Sequence, residues 1–172
     1  MRRMNNTLFS LFLGTVCISA VAAAQSPSPA KAPDLASPAF SILHPDAVPT
    51  APGPANHFIG AVKMDTLSEP IEGLKPRVLS VTFAPCARTA WHSHPMGQLL
   101  IVTAGSGFVQ QQGGPIQAIH VGDIIWTPPN GRHWHGAAPD ASMTHIAIYE
   151  EPKGKVTQWF EQVTDEEYAK AK

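Results

Sequence analysis

The sequence predicts an all-β fold, an antiparallel sandwich or barrel, and three observations support this prediction. Short runs of β-branched and apolar residues recur from His57 onward, and Gly, Pro and Asn residues interrupt them at turn-like positions. No helical periodicity separates these runs, which argues against alternating strands and helices. The length of 172 residues predicts a single domain, and a hydrophobic content of 44% argues against general disorder.

Residues 1–24 are predicted to be a cleaved signal peptide. Two arginines precede an apolar run over residues 8–23, and the consecutive alanines at its end are the small residues that signal peptidase needs. The alternative is an uncleaved membrane anchor, but the run is short of the ~20 residues that span a bilayer. We therefore expect a periplasmic or secreted protein, with no stable membrane span after cleavage.

Residues 25–55 are predicted to be a disordered, proline-rich linker. Eight of the 17 prolines lie between Gln25 and Pro54, in a stretch without apolar periodicity. Each proline removes a backbone donor and biases the preceding residue to extended geometry, so a spacer with polyproline character is expected. The folded domain is then predicted to be residues 56–172, and its only cysteine is Cys86, which excludes an intrachain disulfide after export.

Within this domain, the pattern predicts seven strands, and turns follow from glycine and proline clusters. The predicted turns are residues 105–107, 113–115 and 128–131. Residues 156–163 fit a helix or a bulged strand equally well, whereas Thr164 and Glu167 form a capping box that predicts a short C-terminal helix. The predicted strands are residues 58–64, 78–83, 98–104, 108–112, 116–120, 123–126 and 143–149.

Histidine is the unusual component of this domain. Six of the 8 histidines lie between positions 92 and 145, a region with few carboxylates, while the formal net charge of −1 gives no basic footprint for nucleic acid. The residues of the pairs His92/His94 and His133/His135 are two apart, so on a strand each pair presents both rings to one face. One such pair is often structural; two pairs in one small domain predict a metal site.

These residues also resemble a known family. The pattern His92-x-His94-(x3)-Gln98-(x6)-Gly105 looks like the first cupin motif, and Gly122-(x5)-Pro128 with Gly131-x-His133 looks like the second, except that most cupins have Glu where this chain has Gln98. A closer resemblance, over about residues 83–168, is to the small bacterial manganese-dependent cupin hydroxynitrile lyases. It rests on the stretches ARTAWHSHPMGQLLIVTAG, GDIIWTPPNGRHWHGAAP, MTHIAI and VTDEEY.

The resemblance implies a fold, a ligand set and an activity. The fold would be the cupin double-stranded β-helix, a jelly-roll barrel, and homo-oligomers (dimers or tetramers) are common among cupins. The implied metal ligands are His92, His94, Gln98 and His133, and the implied acid/base residue is His145. His135 has the facing to replace His133 as the fourth ligand, and geometry alone does not choose between them. The alternative for His145 is a hydrogen-bonded core histidine.

The implied donor set is entirely neutral, which bears on the chemistry. Three imidazoles and one amide leave a bound divalent ion with its formal charge of about +2, a centre that attracts anions and stabilises a developing alkoxide or cyanide. The lack of a carboxylate donor favours Lewis-acid chemistry over O₂ chemistry. Nitrogen and oxygen ligands suit Mn, Fe, Ni, Cu or Zn, and manganese is the metal that the resemblance implies.

Three functions therefore compete for this small-molecule site. The first is a lyase that splits a cyanohydrin into an aldehyde and HCN, and the second is a cupin dioxygenase acting on a small aromatic substrate. The third is an exported binding protein without catalysis. Five aromatic residues are candidates for lining an apolar pocket, with ordinary core packing as the alternative: Phe83, Trp91, Phe108, Trp126 and Trp134.

Overall fold

The structure, a computed structural model, describes residues 42–70 and 73–171. The predicted signal peptide and residues 25–41 of the predicted linker lie outside the described residues. Among the described residues, no helix combines the length and the apolar character that crossing a bilayer requires.

Twelve strands, a 3-10 turn at Pro45–Ala47 and one short helix make up the described chain. All strand pairings are antiparallel, as predicted from short strands that recur without helices between them. The elements are β1 (Thr50–Pro52), β2 (Phe58–Ile59), β3 (Val62–Ser68), β4 (Arg77–Phe83), β5 (Arg88–Thr89), β6 (His92–Ser93), β7 (Gln98–Gln111), β8 (Ile116–His120), β9 (Ile124–Thr127), β10 (His133–Ala137), β11 (Met143–Tyr149), β12 (Gln158–Trp159) and α1 (Asp165–Tyr168).

The strands form two sheets that share β7. The first sheet contains β1, β3, β4, β11, the first half of β7 and β9. The second contains β2, β5, β10, the second half of β7 and β8, and β6 joins it through β10 and pairs with β12. Because one long strand takes part in both sheets, they curl around a common interior. The predicted all-β barrel is therefore confirmed.

The predicted turn at residues 105–107 is wrong, because β7 continues through it. Gly105 has a φ of 69°, and a Cβ there would lie 1.7 Å from the carbonyl oxygen of Ser142. At Gly107 a Cβ would lie 2.1 Å from the carbonyl oxygen of Gly136. These glycines let β7 bend from one sheet to the other and approach its neighbours closely, which is a use of glycine that sequence pattern does not separate from a turn.

Two features near the start of the domain also differ from the prediction: one predicted strand is divided, and one strand was not predicted. The predicted strand 58–64 is split into β2 and β3 by Gly60, whose φ of 81° turns the chain from the second sheet to the first. The strand β1 lies inside the predicted linker, where Thr50 pairs with Asp65 of β3. Ordered structure thus begins before Asn56. A three-residue, fully exposed edge strand needs no apolar periodicity, and its terminal Pro52 is allowed at a sheet edge.

The C-terminal segment packs against the second sheet, where Val163 and Tyr168 form a buried cluster with Trp134. Residues 158–159 are a strand, and α1 begins at the Thr164 cap, where the predicted capping box with Glu167 is present. Arg88 is 2% exposed and donates from Nε to the Val163 carbonyl at 3.0 Å and from Nη2 to the Asp165 carboxylate at 2.5 Å. This buried guanidinium therefore ties the helix start to β5.

Candidate metal centre

The candidate site lies inside the barrel, where both sheets contribute side chains. His92 on β6 pairs directly with His133 on β10, and the strand period of two places His135 on the same face as His133. His145 on β11 enters from the first sheet, where it pairs with Val81 and Val102. All predicted site residues, together with His135, are at most 3% exposed: His92, His94, Gln98, His133, His135 and His145.

The Nδ1 atoms of three of these histidines are hydrogen-bonded to outer groups. His92 Nδ1 lies 3.0 Å from the Ala90 carbonyl oxygen, and His133 Nδ1 lies 2.9 Å from that of Gly131. His94 Nδ1 lies 3.0 Å from the hydroxyl of Thr157. Because a carbonyl only accepts, His92 and His133 must carry their protons on Nδ1 and leave a lone pair on Nε2. This is the arrangement of a histidine that binds a metal through Nε2.

The Nε2 atoms meet few groups that could satisfy them. Those of His94 and His135 are buried and have no hydrogen-bond partner among the described residues. His133 Nε2 lies 3.0 Å from Oε1 of Gln98, and as assigned these two atoms are both acceptors. A bound cation, or an exchange of the amide oxygen and nitrogen of Gln98, would satisfy this pair. The donor chemistry therefore fits a divalent metal.

Not all candidate ligands are equally close together. The ligand atoms of His92, His133 and His135 all lie within 4.8 Å of one another, which is close enough for them to share one metal ion. His94 is adjacent, with its ring centroid 5.2 Å from that of His92 and 5.9 Å from that of His133. The two candidates for the fourth ligand, His133 and His135, are thus both in the cluster.

Burial keeps the cluster neutral. It lowers the pKa of His94 to about 3 and that of His133 to about 4, because an imidazolium loses its hydration inside the barrel. The pKa values of His92 and His135 fall well below the ordinary value for the same reason, with repulsion from the neighbouring histidines adding to the effect. At neutral pH these imidazoles are therefore free of extra protons and available as ligands.

His145 is fully buried beside His135. Its Nε2 lies 3.2 Å from Nδ1 of His135, its ring packs 5.5 Å from that of Phe83, and its Nδ1 has no partner among the described residues. Burial lowers the pKa of His145 to about 4, below the near-neutral value of an ordinary histidine. His145 is thus neutral at physiological pH and able to accept a proton.

A cavity of about 230 Å³ opens beside the histidines, and its lining differs from the prediction. None of the five predicted aromatic residues lines it; the aromatic side chains that do are Phe58, Tyr149 and Trp159. His57, to which the sequence assigns no role, also lines the cavity and stacks on Trp159, with the two ring centroids 4.0 Å apart. Sequence reasoning missed these residues because they come from strand ends that only the barrel brings together.

The comparisons with known proteins agree with this geometry. A family model described as the cupin domain matches residues 79–149, the region that holds all candidate ligands and His145. A curated relative, (R)-mandelonitrile lyase of Granulicella tundricola, is 53% identical over 116 residues, which is 67% of this chain and 88% of the relative. The chain therefore belongs to the cupin family. It is a cupin that resembles hydroxynitrile lyase, as the sequence motifs indicate.

Solved structures support the same assignment. A cupin-like protein from Thermotoga maritima is 44% identical and superposes with a TM-score of 0.67, covering 70% of this chain and 92% of that protein. A cupin-2 domain protein from Rhodospirillum rubrum superposes with a TM-score of 0.59 over 77% of this chain and 86% of its own. At 16% identity, the second likeness concerns the fold alone.

Proposed function

We propose that this protein is an exported, metal-dependent lyase of the hydroxynitrile lyase type. It would split a cyanohydrin into an aldehyde and HCN and catalyse the reverse addition. The observation that carries this proposal is the cluster of buried, neutral imidazoles from both histidine pairs, which lies beside a small cavity. The similarity to a protein named (R)-mandelonitrile lyase supports the choice of reaction.

The proposed ligands are His92, His94, Gln98 and His133, and the proposed metal is manganese, with Fe, Ni, Zn or Cu as alternatives. When bound, the cation would supply Lewis-acid stabilisation of the negative charge that develops as the carbon–carbon bond breaks. The neutral donor atoms leave the positive charge of the site largely uncompensated, which suits an anionic leaving group.

His145 is the proposed acid/base residue. It would take the hydroxyl proton of the cyanohydrin as the C–O bond becomes a carbonyl, while the C–CN electron pair departs with cyanide; the same proton then completes HCN. The available atom is Nδ1, since Nε2 faces His135. For Nδ1 to accept, the Nε2 proton of His145 must donate to His135 Nδ1, which places the His135 proton on Nε2.

This proton arrangement links the two assignments. A His135 ring that carries its proton on Nε2 has no lone pair there for a metal, so His145 as the base requires His133 rather than His135 as the ligand. Conversely, His135 as the ligand would donate from Nδ1 to His145 Nε2 and leave His145 protonated on Nδ1. The predicted pairing of His133 as ligand and His145 as base is therefore self-consistent.

The test combines metal analysis with two assays. The purified protein should cleave mandelonitrile, and His92→Ala and His133→Ala should lose the metal while His135→Ala keeps it. A metal-loaded His133→Ala protein would overturn the ligand assignment. His145→Ala should keep the metal but lose cleavage; a variant that retains both would refute the base role. Oxygen uptake with aromatic substrates in place of cleavage would indicate a dioxygenase, and neither activity would indicate a binding protein.

We also propose that residues 1–24 direct the export of the protein.

A second proposal is that the protein forms a homo-oligomer. The edge strand β9 exposes Ile124 and Trp126, whose side chains are 68% and 59% exposed, and among the described residues it pairs only with β7. A second copy of the same edge would cover these side chains, since two edge strands can pair about a two-fold axis. Light scattering should give a dimer or tetramer, and Ile124→Lys should dissociate it; a monomeric parent would refute the proposal.

A further inference from the structure

A chain of hydrogen bonds connects His94 to a carboxylate through one hydroxyl. His94 Nδ1 lies 3.0 Å from Thr157 Oγ1, and Thr157 Oγ1 lies 2.6 Å from Oε1 of Glu151. The backbone N–H of Thr157 donates to the same carboxylate oxygen at 2.7 Å. Thr157 and Glu151 lie at the two ends of the connection between β11 and β12, and both line the cavity.

The direction of this chain follows from the hydrogens that each group has. A carboxylate accepts, so the single hydroxyl proton of Thr157 points to Glu151. The hydroxyl oxygen is then left to accept from His94, which must carry its proton on Nδ1. His94 Nε2 consequently keeps a lone pair, and this atom is buried without a partner among the described residues.

The group that fixes the Nδ1 proton of His94 differs in kind from those of the other two proposed imidazole ligands. The tautomers of His92 and His133 are set by backbone carbonyls of Ala90 and Gly131, which side-chain substitution does not remove. The tautomer of His94 depends instead on two side chains. A change at Thr157 or Glu151 can therefore disturb one ligand while it leaves the other two in place.

Glu151 also carries charge into the surroundings of a neutral donor set. Within the described part of the chain, no Lys or Arg lies within ion-pairing distance of Glu151, whereas Arg77, which also lines the cavity, is paired with Glu69 at 2.8 Å. A carboxylate behind a ligating histidine raises the basicity of its free nitrogen.

We infer that Glu151 and Thr157 are positioning residues that orient His94. Through the hydroxyl of Thr157, Glu151 supplies the carboxylate that the direct ligands lack. This inference rests on the proposed metal site. It predicts that the metal affinity of the protein depends on two residues outside both cupin motifs. It also makes the connection between β11 and β12 part of the site.

The tautomer of His94 gives a test that needs no metal. Long-range ¹H–¹⁵N correlation spectra of the metal-free, ¹⁵N-histidine protein should show His94 protonated on Nδ1, with the signal assigned by its loss in His94→Gln. In Thr157→Val the tautomers should mix, and Thr157→Ser should restore the parent pattern. An unchanged His94 tautomer in Thr157→Val would overturn the inference.

Titration with Mn²⁺ alone separates this inference from the proposed function. Thr157→Val and Glu151→Gln should weaken Mn²⁺ binding by about 10- to 100-fold, while Glu150→Gln, which removes the neighbouring carboxylate, should bind as the parent does. Glu151→Gln can still accept from Thr157 through its amide oxygen, so it isolates the effect of charge. A parent protein that binds no Mn²⁺ would refute the proposed function, whereas normal parent binding with unchanged affinity in both variants would refute this inference alone.

Discussion

Replacing His145 with Leu should change how the stability of the metal-free protein depends on pH. Burial lowers the pKa of His145 from the ordinary value of 6.5 to about 4, so the unfolded chain binds a proton at this residue more readily than the folded chain does. Between these two values each fall in pH favours the unfolded state. The stability that His145 contributes as a neutral ring is thus complete above pH 6.5 and is lost as the pH falls towards 4.

The size of this effect follows from the two pKa values. For one group with these values, the free energy of unfolding falls by about 2 kcal/mol between pH 7 and pH 5, at about 1.4 kcal/mol per pH unit in the steepest part. His145→Leu removes this contribution and places an apolar side chain against Val81, Val102 and Phe83. Between pH 7 and pH 5, the free energy of unfolding of the variant should therefore fall by about 2 kcal/mol less than that of the parent.

Urea denaturation in the presence of a chelator, at several pH values from 7 to 5, measures this difference. His120→Leu serves as the control, because it removes an imidazole whose side chain is 70% exposed. A constant cost of repacking shifts the whole curve and does not change its slope. Loss of the His145 ring also removes a repulsion that lowers the pKa of His135, and this reduces the pH dependence of the variant further in the same direction. Parallel stability curves for the parent and His145→Leu would refute the reasoning.

Three further predictions concern the barrel and its metal. Gly107→Ala should lower the free energy of unfolding by about 3 kcal/mol in thermal or urea denaturation, because its Cβ would lie 2.1 Å from the Gly136 carbonyl oxygen. The control Gly114→Ala should lower it far less, and equal losses in the two variants would contradict the close approach of β7 to β10 at Gly107. Arg88→Met should lower the free energy of unfolding, measured by the same denaturation experiments, by about 2–4 kcal/mol, because it releases the start of α1. An unchanged free energy of unfolding would show that the hydrogen bond to Asp165 contributes nothing. Mn²⁺ at 100 times its dissociation constant should raise the free energy of unfolding by about 2.7 kcal/mol, and no shift in the melting temperature would argue against binding to the folded state.

The sequence predicts the site better than its surroundings. Alternation along a strand is a local property, so the facing of His133 and His135 follows from their spacing, and both are in the observed cluster. The contacts of His94 with Thr157 join residues 63 positions apart, and no periodicity marks Thr157 or Glu151 as special. The same holds for His57, which reaches the cavity by stacking on Trp159.

The fold shows a similar division. Predicted strands such as residues 143–149 agree with the structure because β-branched and apolar residues favour extended chain, and buried positions alternate with partly buried ones along most of this strand. Gly105 and Gly107 misled the prediction because glycine serves both at turns and where the backbone approaches another segment closely. The carbonyls that exclude a Cβ belong to Ser142, just before β11, and to Gly136 on β10. The lowered pKa of His145 likewise depends on burial that the full barrel creates.

The most direct test of the proposed function is the rate of mandelonitrile cleavage before metal removal, after removal and after reloading with Mn²⁺. The buried, neutral imidazole cluster predicts that cleavage falls to background when the metal is removed and returns in proportion to the Mn²⁺ bound per chain. Cleavage at an undiminished rate by the fully metal-free protein would contradict the proposal that this cupin is a metal-dependent lyase.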